Sequence, residues 1–202
     1  MKQEEAEVKF YIKDLKALEE RLRSLGAQLS QPRTFEQNLR FDTPEKELAK
    51  GFKVLRLRRD LQAHLTFKGP SEDVDGVRVR KEIEFVLTDF QAARQLLLEL
   101  GYLVSMQYDK YRVVYDLLGV QISLDELPYG NFIEIEGPDP ATIHTISTML
   151  GLNWEARVPE SYTVLFEQIQ ARMKLEFNDL VFDNFTNLDL KPSDLHVVAA
   201  DE

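Results

Sequence analysis

The chain has 202 residues, 44% hydrophobic and 30% charged, with a formal net charge of −10; this is ordinary globular composition, long enough for one large domain or two small ones. It holds no cysteine, which excludes a disulfide framework, a thiolate metal site and a thiol nucleophile. Its overall acidity argues against a nucleic-acid-binding surface. No apolar run approaches the roughly 20 residues of a bilayer span, and the first residues lack the apolar core of a signal peptide. A cytoplasmic location with no membrane partner is therefore expected.

The negative charge is unevenly placed. From Glu176 onward there are seven acids against one Lys, leaving −4 on the first 175 residues. A polyanionic ligand stays compatible with this balance, because a buried site is governed by its local charges.

In chain order, the first feature is Glu5-Ala6-Glu7-Val8-Lys9. In a strand, Glu5, Glu7 and Lys9 line one face while Ala6, Val8 and Phe10 line the other. The two carboxylates then stand about 6.6 Å apart along the strand, a spacing that suits two oxygen donors converging on a hard cation. The strand, Glu5 to Ile12, runs into Asp14, an N-cap candidate. Leu15, Leu18, Leu22 and Leu25 follow at helical spacing, and Gly26 closes the helix. The unit returns at Asp89 to Gly101 and at Asp139 to Gly151, with the same twelve-residue separation and a Leu before each Gly. Three amphipathic helices of one length are predicted.

The repeat extends further. Val8-Lys9-Phe10 through Leu25-Gly26 aligns with Ile83-Glu84-Phe85 through Leu100-Gly101 at an offset of 75. Leu65-Thr66-Phe67-Lys68-Gly69-Pro70 aligns with Ile133-Glu134-Ile135-Glu136-Gly137-Pro138 at an offset of 68. Each half reads strand, helix, then three strands. The remaining strands fall near Thr34–Phe41, Lys53–Arg59, Gln107–Tyr115 and Val120–Asp125. Short links and period-two patterning predict an α+β fold with amphipathic helices packed on an antiparallel sheet, whose eight strands can close into a β-barrel or stay open with a solvated charged face.

One face of these strands carries Glu5, Glu7, Lys9, Arg56, Arg58, Lys68, Arg78, Arg80, Glu82, Glu84, Lys110, Arg112, Asp125, Glu134 and Glu136. The other carries Val8, Phe10, Leu55, Leu57, Leu65, Phe67, Val79, Ile83, Phe85, Tyr111, Val113, Ile122, Leu124, Ile133 and Ile135. Helices can cover the apolar face from outside, which leaves the charged face for a concave interior. Beyond Gly151, a helix is predicted over about 159–175 with Pro159 near its first turn, and Trp154 anchors the approach to it. The aromatic stretch Leu180–Phe185 is expected to dock on the barrel or cover one mouth. Residues 1–187 read as a single domain, and 188–202 as a mobile acidic tail.

Several Arg and Lys facing a cluster of carboxylates describe a site for a metal-bound polyphosphate. Arg binds phosphate oxygens in pairs and Lys acts as a compact charge; carboxylates hold Mg²⁺ or Mn²⁺. His64, His144 and His196 are scattered and read as spectators, Tyr108, Tyr111 and Tyr115 as packing residues. No P-loop is present.

At this point the residues resemble a family. Glu5-x-Glu7-x-Lys9 is similar to the signature of the CYTH, or triphosphate tunnel metalloenzyme, superfamily. Further similarity lies in Phe41-Asp42-Thr43-Pro44, Leu55-Arg56-Leu57-Arg58, Leu65-Thr66-Phe67-Lys68-Gly69, Arg80-x-Glu82-x-Glu84, Lys110-x-Arg112, Asp125 and Glu134-x-Glu136. The resemblance runs from Glu5 to Phe166 with the motifs in family order. It implies an eight-stranded barrel enclosing a tunnel for triphosphates with Mg²⁺ or Mn²⁺. It further implies metal ligands Glu5, Glu7, Glu134 and Glu136, and phosphate-binding Lys9, Arg56, Arg58, Lys68, Arg80, Lys110 and Arg112. Lys9, Glu82, Glu84 and Asp125 are the implied catalytic group.

The expected function is hydrolysis of a linear triphosphate, inorganic or organic such as thiamine triphosphate. The alternatives are a class IV adenylyl cyclase, which Leu150-Gly151-Leu152 and Ser161-Tyr162 resemble, and a non-catalytic polyphosphate- or nucleotide-binding module. The expected partner is a small-molecule triphosphate, and the expected assembly a monomer or homodimer.

Overall fold

The computed structural model describes residues 4–188 and 190–202. The first three residues, read above for a leader segment, and Asp189 of the acidic tail lie outside the described residues. Among the described residues eight strands form: β1 (Glu4–Ile12), β2 (Gln28–Asp42), β3 (Val54–Arg59), β4 (Ala63–Val74), β5 (Val77–Leu87), β6 (Leu103–Leu117), β7 (Val120–Leu127) and β8 (Gly130–Gly137). They close into a barrel in the order β1-β5-β4-β3-β2-β6-β7-β8, and every pairing is antiparallel. Closure leaves no long sheet edge to be managed.

The three predicted helices are α1 (Leu15–Ser24), α3 (Phe90–Glu99) and α4 (Pro140–Met149); a one-turn α2 (Glu47–Lys50) follows β2. Asp14, Asp89 and Asp139 each accept a backbone N–H of the first turn, as their side-chain chemistry favours. Gly26 closes α1 with φ +82 and nothing within 4 Å of an added Cβ. Backbone conformation, not space, therefore requires glycine there.

Helices α1 and α4 cover the outer face of β1, β8 and β7, where Val8, Phe10, Ile122, Ile133 and Ile135 join one buried cluster with Leu18, Leu22, Ile143 and Ile146. Helix α3 buries Phe90 and Leu97 against Leu39, Phe41 and Leu57. The repeat makes the β4–β5 pair the counterpart of β8–β1, but it has no counterpart of α4, because β4 turns directly into β5. Ile83 and Phe85, equivalent to Val8 and Phe10, accordingly stay 40% and 50% exposed. The helices thus cover only part of the apolar face assigned to them.

The C-terminal region fills two gaps in strand pairing. Strand β1 pairs with β5 only through Glu7; farther along, Val158 N–H donates to Lys9 O (2.8 Å) and Ala200 N–H to Tyr11 O (3.0 Å). Strand β6 outruns β7, and there Leu180 and Asp109 link the strand to the 180–185 segment through Leu180 N–H to Gln107 O and Asp109 N–H to Leu180 O, both 2.9 Å. This segment includes the short α6 (Phe182–Phe185); it docks on the barrel, with Phe185 packed among Tyr129, Phe166 and Phe177.

Two expectations are corrected. The C-terminal helix, α5 (Tyr162–Met173), starts at a Ser161 cap rather than at Pro159, because residues 157–158 are taken up alongside β1. The stretch expected as a mobile tail lies against the barrel: Leu195, Ala199 and Ala200 are buried, and the Asp201 side chain accepts the N–H groups of Lys13 and Asp14. Its apolar residues, interleaved with the acids, give it something to bury. Among the described residues no helix is long and apolar enough to cross a membrane.

Candidate active site

Strand parity turns the charged face into the barrel, where ion pairs join side chains of strands that are adjacent or one apart in the barrel order. On β1, Glu5 accepts from Lys68 Nζ at 2.9 Å and from Arg80 Nε at 2.8 Å. Glu7 accepts from Arg80 Nη2 at 3.1 Å and lies 3.4 Å from Arg78 Nη1. Lys9 Nζ sits 3.3 Å from Glu134 Oε1, donates to Glu160 O at 3.2 Å, and lies 4.1 Å from the centre of the Tyr162 ring. All three β1 side chains are buried.

Burial works to raise the Glu5 pKa, but the Lys68 and Arg80 charges outweigh it and hold the carboxyl well below its usual range. Glu134 is lowered in the same way, by Lys9 and Arg112 against burial. Lys9 is lowered by burial, which Glu134 and Glu7 only partly offset. Glu82, 3.0 Å from Lys68 Nζ, goes the other way: burial and a hydrogen bond with Glu5 push it up to about 7.

Across β6, β7 and β8 a second knot forms. Arg112 meets Asp125 through two 2.6 Å bonds and Glu134 through one of 2.5 Å. Lys110 Nζ and the Tyr162 hydroxyl also donate to Asp125, at 2.9 and 2.8 Å. A third group occupies β3, β4 and β5. There Arg58 Nη2 and Arg56 Nη2 each stand 3.5 Å from Glu84, and His64 Nδ1 stands 3.2 Å from it. Arg58 Nε is also 3.0 Å from Asp60 Oδ2. His64, read as a spectator, therefore belongs to the charged interior.

Glu136 lies directly across from Glu7 on β8, as Glu134 does from Lys9. Sequence reasoning placed a strand near Thr34–Phe41 but missed the inward side chains of β2. Glu36, Asn38 and Arg40 point inward; Glu36 lies 3.5 Å from Lys110 Nζ, and Arg40 donates to Thr163 Oγ1 at 2.6 Å. The period-two spacing Glu36-x-Asn38-x-Arg40 was the available signal. Tyr108, read as packing, also faces inward and accepts from Arg56 Nη1 at 3.3 Å. In contrast, Asp42 of the Phe41-Asp42-Thr43-Pro44 motif is structural, accepting the N–H groups of Thr43, Leu48 and Ala49.

The interior opens into a cavity of about 440 Å³, lined by Lys9, Arg56, Lys68, Arg80, Lys110 and Arg112 among others, with Phe52 and Val164 at its rim. A neighbouring cavity of about 410 Å³ shares Lys9 and Arg78 with it. The lining is basic despite the acidic chain, so it can receive a polyanion whose oxygens replace the carboxylates as partners of the arginines.

Among the described residues no three His, Cys, Asp or Glu side chains stand together as a cation cluster, since Glu5, Glu7 and Glu134 each hold basic partners. In chemistry the donors do fit Mg²⁺ or Mn²⁺: β1 and β8 present hard carboxylate oxygens on facing positions, the ligand type these ions prefer.

Comparison with known proteins gives a consistent picture. The family model of the CYTH domain matches residues 3–150. A protein from Methanocaldococcus jannaschii, named as a candidate adenylate cyclase, is 28% identical over 134 residues, covering 65% of this chain and 75% of its own. A solved structure from Vibrio parahaemolyticus, described as a candidate adenylate cyclase, is 22% identical with TM-score 0.74, covering 83% of this chain and 99% of that one. A third, from Hippeastrum, is described as a candidate adenylyl cyclase with a dominant triphosphatase activity. It is 20% identical with TM-score 0.61, covering 81% of this chain and 95% of that one. These two structures share the fold.

Proposed function

The chain belongs to the CYTH domain family, and from that premise we propose that it is a metal-dependent phosphohydrolase of linear triphosphates. The substrate is inorganic triphosphate or an organic one such as thiamine triphosphate. The observation that carries this reading is the wall of the 440 Å³ cavity, where bases from β1, β3, β4, β5 and β6 converge. A triphosphate has the length and charge to engage several of them at once.

In this reading Lys9, Arg56, Arg58, Lys68, Arg80, Lys110 and Arg112 bind phosphoryl oxygens. Glu5, Glu7, Glu134 and Glu136 would hold Mg²⁺ or Mn²⁺, which when bound neutralises phosphate charge and acidifies bound water. Lys9 stabilises charge developing on the transferred group. Glu84 and Glu82 orient the attacking water, whose oxygen bonds to the terminal phosphorus as the bridging oxygen leaves with the diphosphate. Asp125, saturated by Arg112, Lys110 and Tyr162, acts by holding those bases in place. Net positive charge positioned in advance is the main source of rate acceleration. In this reading the protein acts in the cytoplasm on a small-molecule triphosphate, without nucleic-acid or membrane partners.

The names of the archaeal relative and the Vibrio structure favour a second reading, an adenylyl cyclase. There the 3′-hydroxyl of ATP attacks the α-phosphorus and pyrophosphate leaves. Purified protein with Mg²⁺ or Mn²⁺ is to be tested against inorganic triphosphate, thiamine triphosphate and ATP. Orthophosphate release supports the hydrolase; cyclic AMP with pyrophosphate supports the cyclase; tight binding without turnover would leave a binding module and overturn both.

A further inference from the structure

Asn38 is fully buried on the inward face of β2, between Glu36 and Arg40. Among the described residues neither its amide nitrogen nor its amide oxygen has a hydrogen-bond partner. Its cross-strand neighbours are Arg58 on β3 and Tyr108 on β6, both facing the tunnel. The vicinity holds further unmade bonds, at Arg56 Nε and Glu36 Oε2. A buried amide with no partner opposes folding, and a leucine of nearly the same volume would remove that opposition.

The bonds around it are also loose. Arg56 reaches Tyr108 Oη and Thr66 Oγ1 at 3.3 Å each, and both Arg56 and Arg58 stand 3.5 Å from Glu84. Arg58 keeps a closer ion pair with Asp60, 3.0 Å from its Nε, but the contacts of both guanidiniums with Glu84 are long and exchange readily for a stronger acceptor.

Resting on the triphosphate reading above, we infer that Asn38 is a positioning residue whose hydrogen bonds are completed only with the polyphosphate in place. When Arg56 and Arg58 swing from Glu84 onto phosphoryl oxygens, Tyr108 Oη loses its donor. The Asn38 amide then donates to Tyr108 and accepts from Arg58, fixing the guanidinium in its ligand-facing orientation. The same side chain that weakens the ligand-free fold thus locks the liganded one.

The test is a set of thermal melts and steady-state kinetics on wild type, Asn38→Leu and Asn38→Ser, with inorganic triphosphate and Mg²⁺ as the probe. Ligand-free Asn38→Leu is expected to melt at or above wild type, to lose most of the triphosphate-induced rise, and to show a KM raised about tenfold or more with a smaller change in kcat. Asn38→Ser keeps a donor and an acceptor and should recover part of the rise. A leucine variant that melts well below wild type yet keeps the full rise would assign Asn38 a structural role and overturn the inference. If Asn38→Leu does not fold, Asn38→Ala replaces it: equal rises in the alanine and serine variants overturn the inference, and a rise in serine alone supports it. A wild type that triphosphate does not stabilise removes the functional reading itself, whereas equal rises in wild type and Asn38→Leu remove only this inference.

Discussion

Arg112 and Asp125 face each other across β6 and β7 and meet through two parallel 2.6 Å hydrogen bonds, Asp125 being wholly buried. Lys110 and Tyr162 add two more donors to the same carboxylate. Asp125→Ala would leave a buried arginine and lysine short of a partner, a loss of about 3–5 kcal/mol in ligand-free stability. Urea denaturation checks this. A loss below about 1 kcal/mol would show that Glu36 and Glu134 suffice to hold both bases.

Arg58 separates ligand binding from structural pairing. Saturating triphosphate with Mg²⁺ should stabilise wild type by about 2.7 kcal/mol at a hundredfold excess over the dissociation constant. Arg58→Ala is expected to cut that gain more than it lowers ligand-free stability: its Glu84 contact is long, at 3.5 Å, and Asp60, 3.0 Å from its Nε, keeps His64 at 3.6 Å. Melts of both proteins with and without ligand give the four values needed. A loss that appears equally without ligand points to a structural lattice instead.

Glu136 and Glu7 are carboxylates directly opposed on β8 and β1, the placement from which two oxygen donors reach one cation. Glu136→Gln, which keeps the side chain's shape and removes its charge, should lower metal-dependent turnover at least about a hundredfold. Assays across a Mg²⁺ and Mn²⁺ titration decide the matter, since undiminished turnover at the wild-type optimum removes Glu136 from the metal set.

Glu82 and Glu5 make opposite contributions to pH dependence. The Glu82 carboxyl, raised from 4.5 to about 7 by burial and its bond with Glu5, takes up a proton on folding. Its contribution is present below about pH 4.5 and is lost as pH rises toward 7. Glu5, depressed by Lys68 and Arg80, contributes above its unfolded value and loses that contribution as pH falls. In chelator-treated protein, Glu82→Gln should gain on wild type between about pH 5 and about pH 8, by at most about 1.4 kcal/mol per pH unit. A stability difference independent of pH over that window would contradict the assignment.

Much of this protein was legible in its sequence because alternation within a strand is a local rule. Once Glu5, Glu7 and Lys9 share a face, so do Arg56 and Arg58, or Lys110 and Arg112, and no tertiary knowledge is needed. The Asp-to-Gly helices were equally legible, since a cap and a left-handed glycine act within one turn of their own residues. The Pro159 boundary was misread because residues 157–158 are bound to β1, a partner about 150 positions away.

Tertiary structure alone decided which opposite charges meet. Register between strands brings Arg112 to Asp125 and Lys68 to both Glu5 and Glu82, and parity within a strand says nothing of its neighbour's register. It also decided that the acidic C-terminal stretch closes the free edge of β1, and that Asn38 stands unpaired between Arg58 and Tyr108. A side chain's unmade hydrogen bonds exist only relative to neighbours that folding brings to it.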